Sequence, residues 1–84
     1  MTYYLIVCRS LTFAQRTAAA LERSGVPAHI LRTPAAISPK GCSHSVKIAQ
    51  RRLTQALVAL KRADLTPGQI YLTQGDGSFR EVSL

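Results

Sequence analysis

What most constrains this chain is the order in which two hydrophobic periods alternate along it. Tyr3 to Cys8 is β-branched and aromatic, with the length and bounds of a buried strand, but both its faces are apolar and its phase stays open. Residues 12–24 then carry Ala14, Ala18 and Leu21 on one helical stripe, with Thr17 beside them. Ser10 or Thr12 is the expected N-cap, Gly25 the expected left-handed residue past the helix end, and Pro27 the block beyond. Ala28 to Arg32 reads as a short strand, and Thr33 to Gly41 as a loop holding two prolines. Residues 43–49 alternate: His44, Val46 and Ile48 on one side, Ser45 and Lys47 on the other, as in a strand with one open face. Residues 50–63 repeat Leu53, Ala56, Leu57 and Leu60 at helical spacing. Thr66-Pro67-Gly68 is a turn and Gln69 to Thr73 a strand. Gly75-Asp76-Gly77 is a second turn, with no helix after it to make a phosphate loop, and 78–82 a last short hairpin strand.

That order, β-α-β-β-α-β with a tail strand, is the ferredoxin-like or split β-α-β arrangement. It is an α+β fold in which two helices cover one face of an antiparallel sheet. The 84 residues read as a single such domain, 1–84, and have no room for a dinucleotide-binding domain or a barrel. With 46% apolar and 18% charged residues the composition is that of a globular chain, and no apolar run reaches the roughly 18 residues of a membrane span. The fold hosts many functions, so function must come from particular residues.

Charge narrows the partners. Eleven Lys and Arg against four Asp and Glu give +7, a surface suited to phosphate, nucleic acid or an acidic protein, or simply to solubility. The basic residues form no single tract: Arg51-Arg52 and Lys61-Arg62 stand at opposite ends of one predicted helix. There is no RNP-like aromatic pattern, and Tyr3, Tyr4 and Tyr71 read as sheet residues rather than stacking platforms, so nucleic acid has weak support. His29 reads as a surface residue. Two cysteines, Cys8 and Cys42, are too few for a secreted disulfide scaffold, and no CxxC or Cys/His ladder marks structural zinc. The apolar start has no Lys or Arg before it and is too short for a signal peptide, which favours a cytoplasmic protein.

In this topology the end of strand one, the start of helix one and the loop before strand three share one sheet edge. Cys8, Arg9, Ser10, Arg32, Lys40 and Cys42 are expected there, with the helix N–H groups. Positive charge and N–H donors favour a thiolate, and a cysteine following a Pro/Gly loop is accessible, so Cys42 is the candidate nucleophile. Gly41 serves the turn and clears space beside the sulfur. His44, two residues on and on the same strand face, is a candidate base or cation. Other readings stay open at this point. Cys42 fits a small, inert residue opening a strand, and His44 a packed core histidine. Cys8 fits a core residue, or a second thiol that pairs with Cys42. Cys42, Cys8 and His44 could also hold a soft metal, without recognisable spacing.

The chain resembles a family of small bacterial selenium/sulfur (Se/S) carrier-like proteins. The likeness runs through Tyr-Tyr-Leu-Ile-Val, Ser-Leu-Thr-Phe-Ala-Gln-Arg, Ala-Leu-Glu-Arg-Ser-Gly-Val-Pro-Ala and Arg-Thr-Pro-Ala-Ala-Ile-Ser. It continues through Gly-Cys-Ser-His-Ser-Val-Lys-Ile to Ile-Tyr and Gly-Asp-Gly. The Thr-Pro…Ile-Ser…Cys segment is the specific part. The family's functional residue is the loop cysteine, here Cys42. Members often carry a glycine directly after it, whereas here Ser43 follows and Gly41 precedes. The resemblance implies a carrier rather than an enzyme with turnover, needing no cofactor. Cys42 would hold sulfur or selenium as Cys–S–SH or Cys–S–SeH and pass it between a protein donor and a protein acceptor. Arg9, Arg32 and Lys40 would stabilise the anion, and loop 33–42 would present the sulfur. The competing reading is a non-catalytic basic module that binds nucleic acid or an acidic protein. An apolar open sheet face also leaves a homodimer open.

Overall fold

A computed structural model of the chain describes residues 2–38 and 43–82. The elements run β1 (Tyr3–Cys8), α1 (Leu11–Arg23), β2 (His29–Arg32), β3 (His44–Ala49), a 3-10 turn (Gln50–Arg52), α2 (Leu53–Arg62), β4 (Gln69–Thr73) and β5 (Phe79–Glu81). The sheet is five-stranded in the order β2-β3-β1-β4-β5, and every neighbouring pair is antiparallel. This is the ferredoxin-like arrangement, widened by β5. Among the described residues no helix is long and apolar enough to cross a membrane.

The ladder fixes the phase of β1 that its sequence leaves open. Tyr4, Ile6 and Cys8 stand opposite Ile48, Val46 and His44 of β3, while Tyr4 and Ile6 also face Leu72 and Ile70 of β4. Ile6, Cys8, Val46, Ile48 and Ile70 all join the main core with residues of both helices, so this is the covered face. Ala14, Thr17, Ala18 and Leu21 of α1 are buried as the stripe predicts, and Ala20 with them. Leu5 lies on the opposite, helix-free face and is still fully buried. Two adjacent residues of the central strand, Leu5 and Ile6, are thus sealed on opposite faces.

The helix ends follow from local chemistry. Ser10 is the N-cap of α1, its hydroxyl accepting from Phe13 N–H at 3.1 Å. At the other end Gly25 has φ +83, Gly25 N–H donates to Glu22 C=O and Val26 N–H to Leu21 C=O. That Schellman closure brings buried Val26 against the end of the helix that buries Leu21. The end of α2 repeats it without glycine: Asp64 has φ +58, with Asp64 N–H on Lys61 C=O and Leu65 N–H on Leu60 C=O. The sequence shows no such stop there, because aspartate is only an occasional left-handed residue. The segment expected as helix from 50 opens instead as a 3-10 turn with no side-chain cap, since Ala49 precedes it. The β4–β5 turn is closed by Asp76, whose Oδ1 accepts from Ser78 N–H and Oγ–H at 3.0 and 2.6 Å.

The two helix stops predict opposite responses. Gly25→Ala forces an L side chain into the left-handed region and lowers stability by about 1 kcal/mol, a fall in Tm of roughly 5 °C. Asp64→Gly relieves that strain and removes an acid from the negative end of α2, raising Tm by a few degrees. Thermal unfolding by circular dichroism measures both; a Tm unchanged in both variants contradicts this account of the caps.

Candidate functional site

The candidate site is a sheet edge. The ladder sets Cys8 at the end of β1 opposite His44 at the start of β3, and His44 opposite Arg32 at the end of β2. Cys8, His44 and Arg32 therefore form one row across three strands, on the helix-covered face. The chain leaves β1 through exposed Arg9, whose guanidinium carbon lies 5.7 Å from the Phe13 ring centroid, and enters α1 through Ser10. The Ser10 oxygen is engaged as the cap, while its O–H can still donate. Lys40, Gly41 and Cys42 lie outside the described residues.

The chain on either side of them is held. Thr33 N–H donates to Ser43 C=O at 3.1 Å, extending the β2–β3 ladder past Arg32. The Thr33 and Ser45 hydroxyls are 2.6 Å apart and both are buried. Ser45 was expected on an open face with Lys47. It does share that face, but it is sealed and bonded there, since an unpaired hydroxyl in such a place would cost about 1–3 kcal/mol. Pro34 C=O accepts from Ile37 and Ser38 N–H, making a turn just beyond this clasp. A ladder bond and a hydroxyl pair thus tie Thr33 to Ser43 and Ser45, on either side of segment 34–42. Alternation alone gave no signal for either clasp residue.

Two polar atoms next to Cys42 in sequence are buried without a hydrogen-bond partner among the described residues: Ser43 Oγ and His44 Nδ1. Cys8 is different. It is a free thiol, 1% exposed, set among core residues with its Sγ 3.6 Å from Ile6 C=O and 3.9 Å from the Thr17 hydroxyl. Burial pushes its thiol up from the ordinary cysteine range, against a smaller pull from the Thr17 hydroxyl. That is the setting of an inert core thiol, so its geometry argues against the second-thiol reading. Among the described residues no group of three His, Cys, Asp or Glu could hold a metal. Exposed His29 sits at the far end of β2.

The family model described as "Putative Se/S carrier protein-like" matches residues 3–72. The chain belongs to this family. The match spans β1 to the end region of β4, so the Se/S carrier-like unit includes the whole of the edge just described, and β5 lies beyond it. Searches among curated proteins and solved structures find no match.

Burial of Cys8 predicts a pH signature. A thiol raised in the native state lends stability that is fully present below the ordinary cysteine value of about 8.5 and is lost as pH climbs through the raised native value. Urea unfolding from pH 7 to 10 should show a decline that is shallower in Cys8→Ala; equal slopes contradict the core assignment. The clasp predicts that Thr33→Val, which strands the Ser45 hydroxyl, costs about 1–3 kcal/mol, and that Thr33→Val with Ser45→Ala recovers much of it. A double variant no more stable than the single contradicts the pairing.

Proposed function

We propose that this Se/S carrier-like protein carries sulfur or selenium on Cys42. The observation that supports it is the row Cys8–His44–Arg32, which sets the strand ends flanking loop 34–42 at the edge where Arg9 and the start of α1 also lie. Of the two cysteines one is consumed by the core, which leaves Cys42 for thiol chemistry. Arg9 and Arg32, both exposed, and Lys40, adjacent in sequence, supply cations that favour a thiolate. His44 contributes a ring nitrogen to the same stretch.

The step is an exchange. The Cys42 thiolate attacks the outer chalcogen of a donor persulfide, R–S–SH, or selenosulfide, R–S–SeH. The new bond is Cys42 S–S or S–Se, the donor's own S–S or S–Se bond breaks, and the donor thiolate R–S⁻ leaves. The proton on the outer chalcogen stays with it, and no external oxidant or reductant enters. An acceptor thiolate repeats the attack and restores Cys42. Such exchange needs a thiolate and access rather than a deep pocket. A concavity of about 500 Å³ lies at the opposite end of the sheet, lined by Tyr3, His29, Lys47 and Arg51 among others. Donor and acceptor are proteins with acidic docking surfaces in this reading, matched to a +7 chain.

Alkylation kinetics in a Cys8→Ala background test it. Cys42 should react fast at neutral pH, and Arg9→Gln with Arg32→Gln should slow it at least several-fold while leaving the fold intact. A Cys42 that alkylates only as fast as a free model thiol, with no response to the arginines, overturns the reading.

A further inference from the structure

The helix-free face of the sheet has a composition that the thiol edge does not use. One register row across it reads His29, Lys47, Leu5, Tyr71 and Glu81, from β2 to β5; the next reads Ala49, Tyr3, Thr73 and Phe79. Tyr3 and Tyr71, expected as plain sheet residues, and Phe79 therefore stand together on this face over β1, β4 and β5, all half-buried, whereas Tyr4 turns under the helices. Lys47 occupies the β2–β3 half beside His29, joined at the sheet end by exposed Arg51. Two concavities meet at Tyr3. One, of about 500 Å³, holds Pro27, His29, Lys47 and Arg51 and no carboxylate. The other, of about 220 Å³, runs along Thr73, Gln74 and Phe79. The acids Asp76 and Glu81 lie at the β5 end, so the face is polarised: positive over β2–β3, aromatic over β1–β4–β5.

We infer that this face binds a short stretch of single-stranded nucleic acid. Five strands at about 4.8 Å spacing give a track of roughly 19 Å between outer strands, the span of three or four nucleotides. Phosphates fall on Lys47 and Arg51, and bases stack on Tyr71, Phe79 and Tyr3. The Lys47 ammonium now rests 4.5 Å from the Tyr3 ring centroid, and it exchanges that contact for a phosphate when the strand binds. The net charge of +7 matches a polyanion and opposes self-association of the same face. Lys47 stands three residues along β3 from His44, about 10 Å from that edge and on the opposite face of the sheet.

The test is fluorescence anisotropy with labelled oligo(U) and oligo(dT) octamers and a duplex of equal length, at about 50 and 200 mM salt. Tyr71→Leu and Phe79→Leu keep apolar area but lose the stacking face; each should weaken binding roughly 5-fold or more. Lys47→Gln should weaken it and lower the salt slope by about one. Arg16→Gln, the same charge loss on exposed α1 surface, and Cys42→Ser should bind within about twofold of the native chain. Preference for oligo(U) over oligo(dT), or the reverse, tells RNA from DNA, and either supports the site. No binding at the lower salt overturns it. So do equal affinity for duplex, binding that falls equally with Arg16→Gln and Lys47→Gln while ignoring the aromatic variants, and sedimentation showing a dimer that buries Tyr71. Unchanged circular dichroism spectra confirm that each variant is folded.

Discussion

Everything in this molecule hangs on a strand that is sealed on both sides. β1 pairs with β3 on one edge and β4 on the other, and Leu5 and Ile6 at its centre are fully buried on opposite faces. Truncating either to Ala would remove about 2–5 kcal/mol, a large share of the stability of a chain this short. That strand orders the sheet and gives both of its ends fixed positions. At its C-terminal end it delivers Arg9 and Ser10 to the start of α1 and sets Cys8 opposite His44. At its N-terminal end it presents Tyr3 between two concavities.

The two ends are chemically distinct because the topology separates them. Split β-α-β connections return β2 and β3 to the β1 terminus, so the loop before β3 is bound to the thiol edge by the Thr33–Ser43 ladder bond and the Thr33–Ser45 hydroxyl pair. The α2 start and the β4–β5 turn fall at the other end. The proposed carrier would gain from this division: the edge beside loop 34–42 would meet donor and acceptor while the helix-free face is left for another ligand. The cost is that neither site is a deep pocket, which suits exchange with macromolecules better than turnover of a small substrate.

Much of the fold was legible because the hydrophobic periods are clean. β1 and β4 were bounded correctly, α1 carried its stripe, and Gly25 announced its own Schellman stop. The misses each have a physical reason. Asp64 closes α2 in a conformation that glycine would advertise and aspartate hides. The first turn of the second helix tightened to 3-10 because Ala49 offers no cap. Ser45 kept its predicted face, yet it is buried there by a partner twelve residues away that alternation cannot see. The edge was legible in part: topology alone expects Cys8, Arg9, Ser10 and Arg32 there with Lys40 and Cys42, and the ladder brings the first four to one end of the sheet with His44, while Lys40 and Cys42 lie outside the described residues. The phase of β1 was not, and with it went the fate of Cys8, a core thiol, and the separation of Tyr3 from Tyr4.

The most direct measurement is intact mass of the full chain after incubation with a persulfide donor, repeated with a selenosulfide donor, alongside Cys42→Ser and Cys8→Ala. The account predicts a gain of one sulfur or one selenium atom in the native chain and in Cys8→Ala, lost again when an acceptor thiol is added, and none in Cys42→Ser. No gain on the native chain, or a gain that survives Cys42→Ser, would contradict it.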